Sequence, residues 1–247
     1  MRLEIDYYFK EEKDDSFFQK IKQGAENILD LFCKKEEFIQ KEIIAKNRKE
    51  NYGEIEDSAT LSGNYYIGEG TKIGKGCKIE GPVYIGKNCE ILFQAYIRPG
   101  TILEDNCVVG FNSEVKNTWM RSGSKISSLG FAGDSILGRS ARIGSGAITS
   151  NRRFDQKNIY YKEEKGQKKD TNRAFLGCVL GDCSRIGANA TTSPGTFIGP
   201  YSWIYPLTSV FGFIPEQTKV YQKPDLIFQE NEKIELKKAT WQNEIKK

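Results

Sequence analysis

A chain of 247 residues with 38% hydrophobic residues is long enough to bury one substantial core, so one large domain with smaller appendages is expected. Its 37 basic and 33 acidic residues are scattered and leave a formal net charge of +4, which does not call for nucleic acid as a partner and leaves small anionic ligands open. No apolar run approaches the roughly 20 residues of a bilayer span, and Arg2, Glu4 and Asp6 interrupt any secretory core after Met1, so a cytoplasmic protein without membrane contact is expected.

In chain order, residues 1–52 form a first unit. Leu3, Ile5, Tyr7 and Phe9 alternate like an edge strand. Between about residues 15 and 48, apolar residues such as Phe17, Phe18, Ile21, Ile28, Phe32 and Ile39 recur at helical spacing, with Asp15 or Ser16 as cap and breaks near Gly24 or Lys34. Such a unit is expected to cover one end of the next domain, where unpaired backbone would otherwise be exposed.

Residues 53–223 carry an internal repeat. Ile55, Leu61, Ile67, Ile73, Ile79, Ile85, Ile91, Ile97, Leu103, Val109 and Val115 recur at a strict interval of six, which fits neither a helical face nor a half-buried alternating strand. Glycine repeatedly follows the aliphatic residue, as in Ile67-Gly68 and Val109-Gly110, so short strands joined by turns of permissive backbone are expected, three sides to a coil. Cys77, Cys89, Cys107 and Cys178 each stand two residues before an aliphatic position and read as small apolar fillers; no CxxC pair or other metal-ligand set is present. The register slips across "KNTWMRSGSKISS" and resumes at Phe131, Leu137 and Ile143, then continues at Leu180, Ile186, Thr192, Ile198 and Ile204. Residues 151–173, "NRRFDQKNIYYKEEKGQKKDTNR", are too charged for an interior and must leave the solenoid as a long loop. Residues 224–247 form a tail for which a short helix is expected.

The six-residue period resembles that of hexapeptide-repeat proteins, and the resemblance implies an all-β fold, a left-handed parallel β-helix whose aliphatic residues stack coil on coil. Three stretches narrow it: residues 93–118, "FQAYIRPGTILEDNCVVGFNSEVKNT"; residues 125–155, "KISSLGFAGDSILGRSARIGSGAITSNRRFD"; and residues 176–210, "LGCVLGDCSRIGANATTSPGTFIGPYSWIYPLTSV". Together they resemble the acetyltransferase half of bifunctional sugar-1-phosphate nucleotidyltransferases, including the N-acetylglucosamine-1-phosphate uridyltransferases, over about residues 53–223. Residues 1–52 are too few for a nucleotidyltransferase domain and lack its glycine-rich loop. The resemblance implies a homotrimer in which an amino-sugar phosphate and acetyl-CoA meet between neighbouring chains. By the same matches, Arg98 and Lys116 hold the sugar phosphate, Asn151 contacts the sugar, and Ser145, Ala188 and Tyr205 line the acetyl-CoA path. Guanidinium and ammonium suit a phosphate because both offer charge-assisted donors. Asn151 has a second reading as a turn former before the loop.

The departures are as informative as the matches. Acetyl transfer to an amine needs a base, and the family's histidine and tyrosine are here Ser128 and Phe131, in a chain with no histidine at all. Serine is no comparable base near neutral pH and phenylalanine has no phenol; losing a positioned base costs about 100- to 10,000-fold in rate. Glu114 is the substitute candidate, because a carboxylate can be tuned by its surroundings. Arg142 stands where the family commonly has asparagine, either as an exposed repeat position or as added charge for a more anionic ligand. Tyr201, Tyr205 and Leu207 replace glycines beside the cofactor path and either narrow it or face outward. The expected function is therefore binding of a sugar phosphate or nucleotide sugar without the usual histidine-based acetyl transfer. The alternatives are an active CoA-dependent acyltransferase using Glu114, or a scaffolding trimer that recruits a protein partner through its N-terminal helices or its loop.

Overall fold

The computed structural model describes residues 2–10, 15–162, 167–223 and 228–230, and over them the six-residue period winds into a three-sided parallel β-helix. Sheet A runs from Lys49–Asn51 to Phe213–Ile214 and sheet B from Glu54–Ile55 to Lys219–Val220, nine strands each, while sheet C runs from Thr60–Ser62 to Ser209–Val210 in eight. Each strand pairs in parallel with those one coil away, as in Ile67↔Ile85, Ile73↔Ile91 and Ile79↔Ile97. The aliphatic residues from Ile67 to Val115 point inward and are at most 1% exposed, with Cys77, Cys89, Cys107 and Cys178 filling the same core. Burying each such aliphatic side chain stabilises the stack by about 1.5–3 kcal/mol, and only the coils above and below supply that burial.

The register slips after Val115 because two sides shorten by one residue each. Met120, Ile126 and Ala132 are all inward and fully buried, so the sides from Val115 to Met120 and from Ala132 to Leu137 are five residues long. The inward site expected for Phe131 belongs to Ala132, and Phe131 lies half-buried on the outside of sheet C. Both short sides fall at the corner between sheets C and A, where Asn117 and Asp134 turn the chain with left-handed backbone, φ 47° at each. Asparagine and aspartate tolerate that region better than most residues.

The N-terminal unit departs from expectation twice. Its first apolar stretch is a single helical turn, α1 (Ile5–Tyr8), rather than an edge strand, and winding it lets Tyr7, Tyr8 and Phe9 all be buried where a flat strand would bury alternate residues. The second helix, α2 (Ser16–Lys22), is capped by Asp15, whose carboxylate accepts from Phe18 N at 3.3 Å. The third, α3 (Asp30–Phe38), runs into a wider helical turn over Ile39–Ile44, and the break falls around Gly24, with none at Lys34. The unit lies across the outer surface of sheet A instead of an end of the prism. The reason is an apolar stripe, one residue per coil: Tyr84, Ile102, Trp119, Ile136, Val179 and Phe197 meet Phe9, Phe18, Leu31, Phe32 and Ile43 in a second core. Two cations, Lys35 and Arg121, are sealed in this seam with no exposed surface.

The long loop leaves from the corner between sheets C and A. It carries an antiparallel hairpin of Tyr160–Lys162 and Lys168–Asp170, and its base is anchored by Ile159 and Leu176, which join the second core. The helix expected in the 224–247 tail lies, apart from residues 228–230, outside the described residues. No helix among the described residues is long and apolar enough to cross a membrane.

Candidate functional site

Sheet C carries the candidate residues along both of its edges. At the corner entering it from sheet B, Ser128, Ser145 and Ala188 occupy equivalent positions in successive coils. A backbone ladder records the alignment, with Gly146 N donating to Ser128 O at 3.0 Å, Asn189 N to Ser145 O at 2.9 Å and Leu207 N to Ala188 O at 3.0 Å. The next position of this column is Pro206, flanked by Tyr205, 40% exposed with its ring 5.9 Å from that of Tyr221, and by Leu207, 72% exposed. Both therefore face outward at the end of the column. Tyr201 turns the corner between sheets A and B and lies off it.

At the opposite edge, where sheet C gives way to sheet A, Arg98 and Lys116 stand on adjacent coils. Arg98 Nη1 meets Glu114 Oε1 at 2.6 Å, and this hydrogen bond raises the guanidinium pKa above its usual value. Glu114 in turn neighbours Phe131 across the strand pair. Lys116 Nζ donates to Asp134 Oδ2 at 3.0 Å and Asn151 Nδ2 to the same oxygen at 2.6 Å, while Asn117 Nδ2 holds Oδ1 at 2.7 Å. Phe175, from the base of the loop, meets two cations, with Lys116 Nζ 4.4 Å and Arg152 Cζ 4.9 Å from its ring centre. Gly133 makes the arrangement possible: a Cβ there would lie 2.7 Å from Phe131 Cζ and 2.6 Å from Asn151 Nδ2.

The structure thus brings Lys116 and Asn151 together, sets Arg98 one coil away with Glu114 between Arg98 and Phe131, and gathers Ser128, Ser145, Ala188 and Tyr205 at the other edge of the same face. Arg142 does not join them within the chain. It lies on the outside of sheet B in register between Lys125 and Arg185.

Two residues of the site escape a reading by motif. Lys35 reaches from α3 into the Arg98–Lys116 corner and donates to Asn117 O at 2.6 Å, to Asn117 Oδ1 and to Gly100 O at 3.2 Å. Asn117 relays that contact to Asp134. The available signal was Lys35 itself, at helical spacing from the buried Leu31, Phe32 and Phe38. Among the described residues no group of three or more Cys, Asp or Glu could hold a metal ion.

A parallel β-helix of six-residue repeats defines a class, the hexapeptide-repeat proteins. Family models for "bacterial transferase hexapeptide (six repeats)" and "hexapeptide repeat of succinyl-transferase" match residues 64–97 and 82–115. The chain is 40% identical over 157 residues to a bifunctional sugar-1-phosphate nucleotidylyltransferase/acetyltransferase of Sulfurisphaera tokodaii, a match covering 64% of this chain and 39% of that one. It is 32% identical over 191 residues to the bifunctional protein GlmU of Methanococcus aeolicus, covering 77% and 46%. The uncharacterized acetyltransferase YaiX of Escherichia coli is 34% identical over 181 residues, covering 72% of this chain and 78% of that one. The chain therefore belongs to the hexapeptide-repeat acetyltransferase family and is related to the bifunctional nucleotidyltransferase/acetyltransferases, while spanning less than half the length of those two bifunctional relatives.

Proposed function

We propose that this chain, as a homotrimer, binds a sugar phosphate or nucleotide sugar at the edge of sheet C through Arg98, Lys116 and Asn151, and does not transfer acetyl by the family's histidine mechanism. The observation that carries the reading is convergence: Lys116 Nζ and Asn151 Nδ2 aim at one anionic oxygen, Asp134 Oδ2, so the corner is already arranged as a donor pair around a negative charge. Lys116 has further N–H donors for a ligand phosphate, and Arg98 supplies a fork one coil away. Asn151 serves both as sugar contact and as partner of the turn residue Asp134.

Acetyl transfer by the family's route needs a histidine, and the chain has none. Ser128 holds the family's base position with a side chain that takes no proton near neutral pH, and Phe131 offers no hydroxyl. Glu114 is committed to Arg98, which favours a role in orienting that guanidinium over one as base. The small-residue column of Ser128, Ser145 and Ala188 would hold the arm of acetyl-CoA along three coils, and when bound that cofactor would supply an activated acetyl group; Tyr205 and Leu207 face outward on either side of the column's next position, Pro206.

Titration calorimetry with glucosamine 1-phosphate tests the reading. Saturable binding is expected, weakened about 10- to 100-fold by Lys116→Ala through loss of charge-assisted hydrogen bonds, and the same preparation should release no CoA from acetyl-CoA above the buffer rate. Binding that is absent, or indifferent to Lys116, contradicts the proposal.

A further inference from the structure

We infer that Lys35 is a positioning residue for the anion-binding corner, its ammonium inserted from α3 to lock together the two turns that carry Arg98 and Lys116. The inference rests on the sugar-phosphate reading above and deepens it. Gly100 is two residues beyond Arg98 and Asn117 is next to Lys116, and the Lys35 ammonium bonds to the carbonyl oxygens of both as well as to the Asn117 carboxamide. All three of its N–H donors are thereby matched. The other end of that carboxamide grips Asp134, which in turn holds Lys116 and Asn151. A single chain of hydrogen bonds therefore runs from the helical unit to both ligand-binding donors.

An ammonium is a costly group to bury in this place. Lys35 has no exposed surface, lies on the buried face of its helix with Leu31, Phe32 and Phe38, and carries a charge that burial penalises. Methionine would remove that penalty but leave the oxygens of Gly100 and Asn117 without their donor, so the lysine is suited to a place where its hydrogen bonds set the geometry of the corner. The groups that face it are mixed: Glu36 from its own helix, ion-paired with Arg173 from the base of the loop, and Asp134 and Lys116 from the corner. A ligand phosphate at Lys116 adds negative charge to this set and favours the protonated form of Lys35. Affinity conferred through Lys35 should therefore be greatest below about pH 7, where its pKa has been lowered by burial, and fade as pH rises through that value.

The test is calorimetry of the full chain with glucosamine 1-phosphate, comparing the parent with Lys35→Met from pH 6 to pH 8.5, beside urea denaturation of both. Lys35→Met is expected to bind about 10-fold more weakly at pH 6 while its urea transition shows it still folded at the pH of the binding measurement, and the ratio of the two affinities should fall toward one as pH rises. Taking the ratio cancels the titration of the phosphate itself, and a purely structural lysine would give no such profile. Asn117→Gly, which keeps the left-handed turn and removes the relay, is the second variant, with the same loss of affinity expected at pH 6. Equal binding by parent, Lys35→Met and Asn117→Gly overturns the inference alone. No binding by the parent overturns both it and the sugar-phosphate reading.

Discussion

Arg121→Met is expected to destabilise the fold by about 3–5 kcal/mol, the cost of removing the buried cation that Asp15, Asp182 and Glu104 share; of the three, Asp182 keeps Arg139 at 3.7 Å. Arg121 has no exposed surface and is ion-paired to Asp15, with Asp182 at 3.4 Å and Glu104 at 4.0 Å. Its guanidinium also lies 3.8 Å from the ring centre of Phe18 and 5.2 Å from that of Phe9. One residue of the solenoid thus holds the cap of α2 and two aromatic anchors of the N-terminal unit. Asp182 also accepts from Lys10 N and Arg139 N, and Glu104 from Trp119 Nε1 and Ser122 N, so these carboxylates remain in place when the cation is removed. Urea denaturation of the single variant and of Arg121→Met/Glu104→Gln is the check. Recovery of part of the loss in the double variant is expected, because it removes a carboxyl that otherwise stays buried as an unpaired charge or takes up a proton at a cost, and a single variant within about 0.5 kcal/mol of the parent contradicts the account.

Folding stability is expected to pass through a minimum near pH 7, with Glu104 and Lys35 shaping the two limbs. Burial raises the Glu104 pKa to about 7, with Arg121 and its hydrogen-bond donors only partly offsetting it. Since this folded value lies above the ordinary 4.5, the folded state holds the extra proton between the two, and stability falls as pH rises from about 4.5 to 7. Lys35 has the opposite sign. Burial lowers its pKa from 10.5 to about 7, so the unfolded chain binds the extra proton in that window and stability rises with pH above 7. A tenfold difference in proton affinity between the folded and unfolded states is worth about 1.4 kcal/mol, which makes both limbs large enough to measure. The chain has no histidine to obscure the neutral range. Urea midpoints measured from pH 5 to pH 9 should flatten on the acid side in Glu104→Gln and on the alkaline side in Lys35→Met. A maximum near pH 7 in the parent would refute the assignment.

The solenoid was legible because its period is a property of single positions: every sixth residue from Ile55 to Val115 is aliphatic, and no other regular structure keeps that spacing. The period was lost where a side drops to five residues, since Phe131 looks more like a core residue than Ala132 does and only the strand pairing reveals which one points inward. The helical unit was legible as helices, but its location was not, because the stripe that receives it recurs about once per coil, from Tyr84 to Ile102 to Trp119, and hides beside the stronger inward signal. Arg98, Lys116 and Asn151 could be matched one by one through family motifs. That two of them share Asp134, and that Lys35 stands behind them, depends on contacts between residues as many as 82 positions apart, as for Lys35 and Asn117, which no local pattern encodes.

The most direct measurement is a crystal structure of the chain soaked with glucosamine 1-phosphate. The phosphate is expected beside Lys116 and Arg98 with the sugar against Asn151, Glu114 still oriented on Arg98, and no group able to accept a proton placed at Ser128. A phosphate bound at Lys125, Arg142 and Arg185 on sheet B, or a sugar amine in contact with a free Glu114 carboxylate, would contradict the assignment of this corner as a binding site without the family's transfer chemistry.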